Sequence, residues 1–337
     1  MLVDSFSRPI RDLRISVTDR CNFRCPFCMP GDLYGREYQF LPKEEILTFE
    51  EFVRLARVFV NLGVHKIRLT GGEPLLRRNL EFLIAQLVRI DGIEDIALTT
   101  NGFLLAEKAQ VLKDAGLNRV TVSLHSLDDD VFAKMNGQGF STKRVLEGIE
   151  KATEVGLTPI KINVVVQRGV NDHTIVELAR FFKDTGHIVR FIEYMDVGNL
   201  NGWKMEHVVP ADEIVKMIDA ELPLERIERN YQSEVALRYR YRDGTGEIGI
   251  IASVTKPFCG DCARVRLSAE GKVYTCLFSN LGHDLKTPLR NGATDSEIEE
   301  IIRGIWTRRT DRYSEERAEI LAAGTQTRKV EMYQVGG

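Results

Sequence analysis

The sequence predicts an α/β protein: a partial (βα)6 TIM-type barrel with a smaller C-terminal module closing its mouth. Three observations carry the prediction. Short strand-like runs alternate with helix-like stretches through the first two thirds of the chain, glycines follow the helical stretches, and alternate residues on several strands are polar or cationic.

The strand-like runs are residues 13–18, 66–70, 95–100, 119–124, 160–166 and 188–195. Between them, residues 43–62, 75–89, 104–115, 128–155 and 172–185 carry apolar side chains at helical spacing. Gly63, Gly92, Gly116, Gly156 and Gly186 stand where a C-terminal helix cap belongs. Repeated βα units imply parallel strands, in either an open doubly wound sheet or a barrel. The strand faces bear on that choice. Every second residue collects Arg14, Ser16 and Thr18 on one strand, then Lys66, Arg68 and Thr70, then Thr121, Ser123 and His125, then Lys161 and Asn163. The opposite parity is largely Ile, Leu and Val. Ordinary parallel sheets are buried on both faces and read as continuous apolar runs, so a polar face repeated on four strands fits a barrel whose lumen holds a ligand.

Beyond residue 199 the pattern changes. Residues 238–253 read as a hairpin around Asp243-Gly244-Thr245-Gly246, and 264–277 as another around Ala269-Glu270-Gly271-Lys272. Residues 295–306 are helix-like, and the chain finishes in a polar tail, Gln334-Val335-Gly336-Gly337, flexible by composition. The expected division is a barrel over 1–200 and a C-terminal module over 201–337.

The formal charge of −3 predicts no bulk attraction to nucleic acid or anionic membrane, so any anion site is local. The opening residues contain no apolar core of signal-peptide length, and no apolar run approaches the ~20 residues of a bilayer span. The expectation is a cytoplasmic, reducing setting, in which six cysteines point to metal or redox chemistry in preference to three disulfides.

Cys21, Cys25 and Cys28 follow the first strand with C-x3-C-x2-C spacing. Three thiolates on a short loop suit an iron–sulfur cluster, and three ligands leave one iron open for a small molecule. The other three, Cys259, Cys262 and Cys276, form C-x2-C-x13-C. They allow a second cluster with an open iron, or a zinc site completed by His283.

The first triple, with Phe27 before its last cysteine and Gly71-Gly72-Glu73-Pro74 after the second strand, resembles the signature of the radical S-adenosylmethionine superfamily. Both triples together, with Leu98-Thr99-Thr100-Asn101-Gly102, Ser123-Leu124, Arg264-Val265-Arg266 and a terminal Gly-Gly, resemble the GTP 3′,8-cyclase family of molybdenum cofactor biosynthesis over the whole chain. The resemblance implies two [4Fe-4S] clusters, on Cys21, Cys25 and Cys28 and on Cys259, Cys262 and Cys276, the first triple being catalytic. It implies S-adenosylmethionine contacts from Gly72, Ser123, Met195 and the main chain of Phe27. For GTP it implies Arg14, Arg68, Thr99, Lys161, Arg264, Val265 and Arg266, with the guanine at the second cluster and the Gly-Gly tail entering the site. The implied reaction is radical removal of hydrogen from C3′ of GTP and attack of that carbon on C8, giving (8S)-3′,8-cyclo-7,8-dihydroguanosine 5′-triphosphate. Implied partners are a downstream cyclic pyranopterin monophosphate synthase, an electron donor such as flavodoxin or ferredoxin, and a second copy in a homodimer. Arg14, Arg68 and Lys161 already stood on the polar strand faces identified without the resemblance.

Overall fold

The structure, a computed structural model, describes residues 2–231, 233–323 and 328–336. The first half alternates as β1 (Asp12–Ser16), α1 (Phe49–Asn61), β2 (Lys66–Thr70), α2 (Leu80–Leu87), β3 (Asp95–Thr100), α3 (Leu105–Asp114), β4 (Arg119–Ser123), α4 (Asp129–Asn136), α5 (Lys143–Glu154), β5 (Lys161–Val166), α6 (Ile175–Phe182) and β6 (Ile188–Glu193). The second half adds α7 (Ala211–Asp219), β7 (Leu224–Ile227), β8 (Leu237–Tyr241), β9 (Glu247–Ile251), β10 (Arg264–Leu267), β11 (Lys272–Tyr274) and β12 (His283–Asp284). Four helices follow: α8 (Lys286–Arg290), α9 (Asp295–Thr307), α10 (Tyr313–Ala322) and α11 (Met332–Val335). Among the described residues no helix is long and apolar enough to cross a membrane.

One sheet contains all the strands, in the order β12-β11-β10-β1-β2-β3-β4-β5-β6-β9-β8-β7. Strands β1 to β6 are parallel neighbours, and β10 and β9 join them in parallel at either edge. The two expected hairpins are therefore built into the barrel wall, each giving one parallel strand, and the sheet runs on without a break past residue 200. Among the described residues β7 and β12 end the sheet unjoined, so the barrel is open between them.

The apolar parity faces the helices. Leu13 and Ile15, Ile67 and Leu69, Val120 and Val122, Ile162 and Val164 are all buried in one core with the inner faces of the helices. Each such side chain stabilises the fold by about 1.5–3 kcal/mol. Helix α1 starts later than its periodicity suggested because Thr48 and Glu51 form a reciprocal capping box there. The helical stretch expected over 128–155 is two helices. Asn136 turns its side chain onto the amides of Gln138 and Phe140, and Gly137 and Gly139 take positive φ, which ends α4. The tail also departs from expectation: Val330, Tyr333 and Val335 are buried, and α11 is packed into the mouth of the barrel. Its apolar side chains alternate with polar ones, and bulk composition hides that pattern.

Candidate active site

The first cysteine triple follows β1 at the C-terminal end of the parallel strands, the end where parallel barrels carry their chemistry, whereas Cys262 immediately precedes β10 and Cys276 follows the antiparallel β11, which puts the second triple toward the strands' N-terminal ends. The first loop is shaped by Arg24, whose guanidinium donates to the carbonyls of Tyr34, Cys21 and Phe23 at 2.6, 2.8 and 2.7 Å. Phe23 anchors it among Phe103, Phe132 and Phe140. The Cys25 carbonyl accepts from the amides of Cys28 and Met29, so the last two cysteines share a tight turn. Burial pushes Cys21 up to about 12 and raises Cys25 and Cys28 further. As free thiols they hold their protons, and only a strongly cationic partner would draw out three thiolates here.

Gly71-Gly72-Glu73 packs backbone to backbone on this loop. The Gly72 amide donates to Thr18 O at 2.8 Å and the Glu73 amide to Arg20 O at 2.7 Å. A Cβ on Gly72 would stand 2.2 Å from the Arg20 carbonyl oxygen. The close approach expected of these glycines is thus spent first on the cysteine loop itself. Glu73, the carboxylate of that motif, is a buried hub accepting from Thr100 Oγ1 and the amides of Asn101 and Leu75. Burial lifts it to about 7 against those hydrogen bonds. Asn101 in turn donates to Cys21 Sγ at 3.9 Å and Asn22 Oδ1 at 2.8 Å. Phe27 sits edge-on to His125, just past β4, with ring centroids 5.1 Å apart. Ser123 is the register partner of Asn163 on β5, and Met195 lies just past β6.

The second triple opens into a cavity of about 1010 Å³ with its mouth included. Its walls hold Cys259, Cys262 and Cys276 together with Arg14, Arg68, Thr99, Met195, Arg264 and Arg266. Burial would raise Cys262, but the charges of Arg264 and Arg309 overcome it and bring the thiol down to about 6. Arg264 Nη2 is 3.4 Å from Cys262 Sγ. Burial and the Asp311 charge hold Cys276 at about 12. His283 is on the exposed edge strand β12 beside α9, outside this cavity, which removes the fourth ligand a zinc site needed. Among the described residues no three such donors gather around one point as a single ion needs, whereas a cluster spreads its thiolates over separate irons. Both donor sets fit iron–sulfur clusters.

Register brings the cations together. Arg14 is level with Arg68 on one side and Arg266 on the other, and Thr121 is level with Lys161. Arg68 donates to Thr99 Oγ1 and Thr121 Oγ1, both at 3.1 Å. Burial, then repulsion from Arg266, Arg264 and Arg68, holds Arg14 well below the usual arginine range. Burial and Arg190 bring Lys161 down to about 7. Burial and Arg68 hold Arg190 at about 9, and burial and Arg264 do the same for Arg266. Arg190, missed at the sequence level, lines the same cavity and donates to Asn163 Oδ1 at 3.0 and 2.7 Å. Its signal was a lone arginine in the apolar run Ile188-Val189-Arg190-Phe191-Ile192. Val265 differs from its neighbours: its side chain is fully buried in the apolar core, so only its main chain can meet a ligand.

The tail stands between the two triples. Tyr333 packs on Met29 and Tyr34 beside Cys21 and Cys28, and Val335 packs on Tyr274 with Leu277 at its edge. Arg266 donates to the carbonyls of Val335 and Gly336. Gly336 lies against Thr70, where a Cβ would meet the threonine methyl at 2.0 Å. Gly337 lies outside the described residues. Lys329 anchors the tail by donating to Asp196, which Arg317 also grips at 2.9 Å.

A partial parallel barrel with a three-cysteine loop after its first strand, backed by a Gly-Gly-Glu-Pro turn, defines a radical S-adenosylmethionine enzyme. Residues 15–182 match the family model described as Radical SAM superfamily, and 187–315 match Molybdenum Cofactor Synthesis C. Among solved structures, Streptococcus suis SuiB bound to precursor peptide SuiA has the same fold, with a TM-score of 0.60 at 17% identity over 88% of this chain and 67% of its own. The chain belongs to the GTP 3′,8-cyclase family. It is 54% identical to the GTP 3′,8-cyclase of Acidothermus cellulolyticus over 94% of this chain and 88% of that one. It is 50% identical to that of Staphylococcus saprophyticus over 100% and 99%.

Proposed function

We propose that this chain converts GTP to (8S)-3′,8-cyclo-7,8-dihydroguanosine 5′-triphosphate, the early step of molybdenum cofactor biosynthesis. The observation that carries the reading is a lumen in which buried cations meet three cysteines on one cavity wall, a set of charges that calls for a polyanion with a metal-binding base.

Cys21, Cys25 and Cys28 would hold one [4Fe-4S] cluster, with S-adenosylmethionine against Gly72, Ser123, Met195 and the main chain of Phe27. Cys259, Cys262 and Cys276 would hold the other, facing the guanine. The chemistry supplied when both are loaded is removal of the C3′ hydrogen by a 5′-deoxyadenosyl radical, after which C3′ bonds C8 of the same guanine. The chain's own part is positional. Arg14, Arg68, Lys161, Arg190 and Arg266 offer charge to the phosphates without any repacking of the barrel wall, and Thr99 holds Arg68 in line. Arg264 beside Cys262 keeps that sulfur deprotonated and sets the base end of the site. Tail residues 328–336 cover the mouth and exclude water from the reacting sugar. Residues 1–200 supply the radical half and 201–337 the substrate-cluster half. The product passes to a cyclic pyranopterin monophosphate synthase, electrons come from a flavodoxin or ferredoxin, and the enzyme works in the cytoplasm as a homodimer.

The test is anaerobic incubation of reconstituted protein with GTP, S-adenosylmethionine and dithionite. The expected product is an isomer of GTP accompanied by 5′-deoxyadenosine. Deoxyadenosine without any GTP isomer would sink the reading.

A further inference from the structure

A second cavity, about 570 Å³, lies below the first. Its walls include Asp12, Lys66, Asp95, Arg119 and Lys161, each the opening residue of its own strand, so it occupies the N-terminal end of the barrel. It shares Arg14, Arg68, Arg190 and Arg264 with the upper cavity. The two therefore form one channel along the barrel, which the second cysteine triple flanks beside Arg264.

At the bottom of that channel stand Tyr231, Ser233 and Val235, between β7 and β8. Tyr231 places its ring under the Lys66 ammonium, 4.2 Å from Nζ to the ring centroid. It is 42% exposed and lines the lower cavity. Its flanks are fixed. Arg238 donates to Glu228 O and Asn230 Oδ1 at 2.9 and 2.8 Å, and the Asn230 amide donates to Glu234 at 2.7 Å. Arg229 reaches Asp261 Oδ2 at 3.1 Å, tying the plug to the turn that carries Cys259 and Cys262.

We propose that Tyr231 is the floor that fixes how long a phosphate chain the barrel accepts, so that a nucleoside triphosphate fills the channel and a longer chain does not. The inference rests on the barrel being a GTP site. From the level of Arg14 and Arg68 to that of Asp12 and Lys66 is two strand residues, roughly 6.6 Å. Phosphates beyond the first descend past Arg68 and Arg190 to Lys66 and Lys161. At that level carboxylates offset the positive lining: Arg119 is already paired with Asp95, and Asp12, the register partner of Lys66, adds a second carboxylate. A fourth phosphate would have to displace the Tyr231 ring and face those carboxylates.

The probes are GMP, GDP, GTP and linear guanosine 5′-tetraphosphate, their affinities measured on anaerobically reconstituted protein by calorimetry. In the wild type, affinity rises from GMP to GTP and falls by about tenfold or more at the tetraphosphate. In Tyr231→Ala the tetraphosphate binds at least as tightly as GTP, while Tyr231→Phe, which keeps the ring, retains the wild-type order. Charge alone would make the tetraphosphate the tightest ligand of all, so that result in the wild type overturns the floor whether or not Tyr231→Ala folds. An unchanged order in Tyr231→Ala also overturns it. Equal affinity for GMP and GTP would instead sink the GTP reading of the whole channel.

Discussion

Lys161 should take up a proton when GTP binds. Its amine lies among Arg190, Arg119 and Arg68, while Glu234 favours its charge. Burial and those cations lower it from the ordinary 10.5 to about 7. That displacement corresponds to roughly 5 kcal/mol of unfavourable surroundings for the ammonium. A phosphate beside it reverses the sign of the local field and restores the proton. At pH 8 about nine-tenths of the free protein carries neutral Lys161, so GTP binding takes up roughly 0.9 proton, against roughly 0.1 at pH 6. The bound state holds more protons, so affinity falls as pH rises, by about tenfold between pH 6 and 8. Calorimetry in buffers of different ionisation enthalpy reads the proton number directly. Lys161→Met should abolish most of the uptake at pH 8 and flatten the pH dependence. No uptake at pH 8 in the wild type, or the same uptake in Lys161→Met, would refute the assignment of Lys161 to the phosphates.

Arg190→Met removes two bonds to Asn163 and one unpaired lumen charge; GTP should bind about tenfold or more weakly by equilibrium titration, and an unchanged affinity would place Arg190 outside the site. Gly72→Ala drives a methyl into the Arg20 carbonyl, so the variant should lose about 3 kcal/mol of stability and retain less iron at the first triple, read by denaturant melts and iron analysis. Cys276→Ser should keep the iron of the first triple yet form no cyclised GTP, while full cyclase activity would remove the second triple from the reaction.

How far the sequence could be read follows from the range of each signal. Strand parity is local, and it puts Arg14, Arg68 and Lys161 on the lumen face. The hairpins around Gly244 and Gly271 were equally local. What parity cannot report is that β9 lies along β6 and β10 along β1, because a hairpin carries no mark of the strand it will join at long range. The break between α4 and α5 was written in Gly137 and Gly139 but overridden by apolar spacing on either side. Tyr231 was beyond reach, since it meets Lys66 only through the closure of the barrel bottom. The buried tail was hidden by averaging: Tyr333 and Val335 are the residues that pack, and composition weighs them equally with the half-buried Gln334 between them.

The barrel contains two kinds of buried cation, and they separate scaffold from site. Arg8 with Asp4, Arg317 with Asp196 and Arg119 with Asp95 each face a carboxylate. For Arg119 that partner outweighs burial and raises the guanidinium above its ordinary value. Arg68, Arg190 and Arg266 instead bond neutral oxygens of Thr99, Thr121, Asn163 and the tail, and burial with repulsion from neighbouring guanidinium groups pulls all three down. A neutral acceptor fixes the direction of a guanidinium without cancelling its charge. Burying charge this way destabilises the empty barrel, and the cost is recovered only when an anion arrives. The channel is thus built for a ligand whose charge exceeds what a single carboxylate could supply, and the more phosphates it brings within the depth above Tyr231, the more of that stored repulsion it relieves.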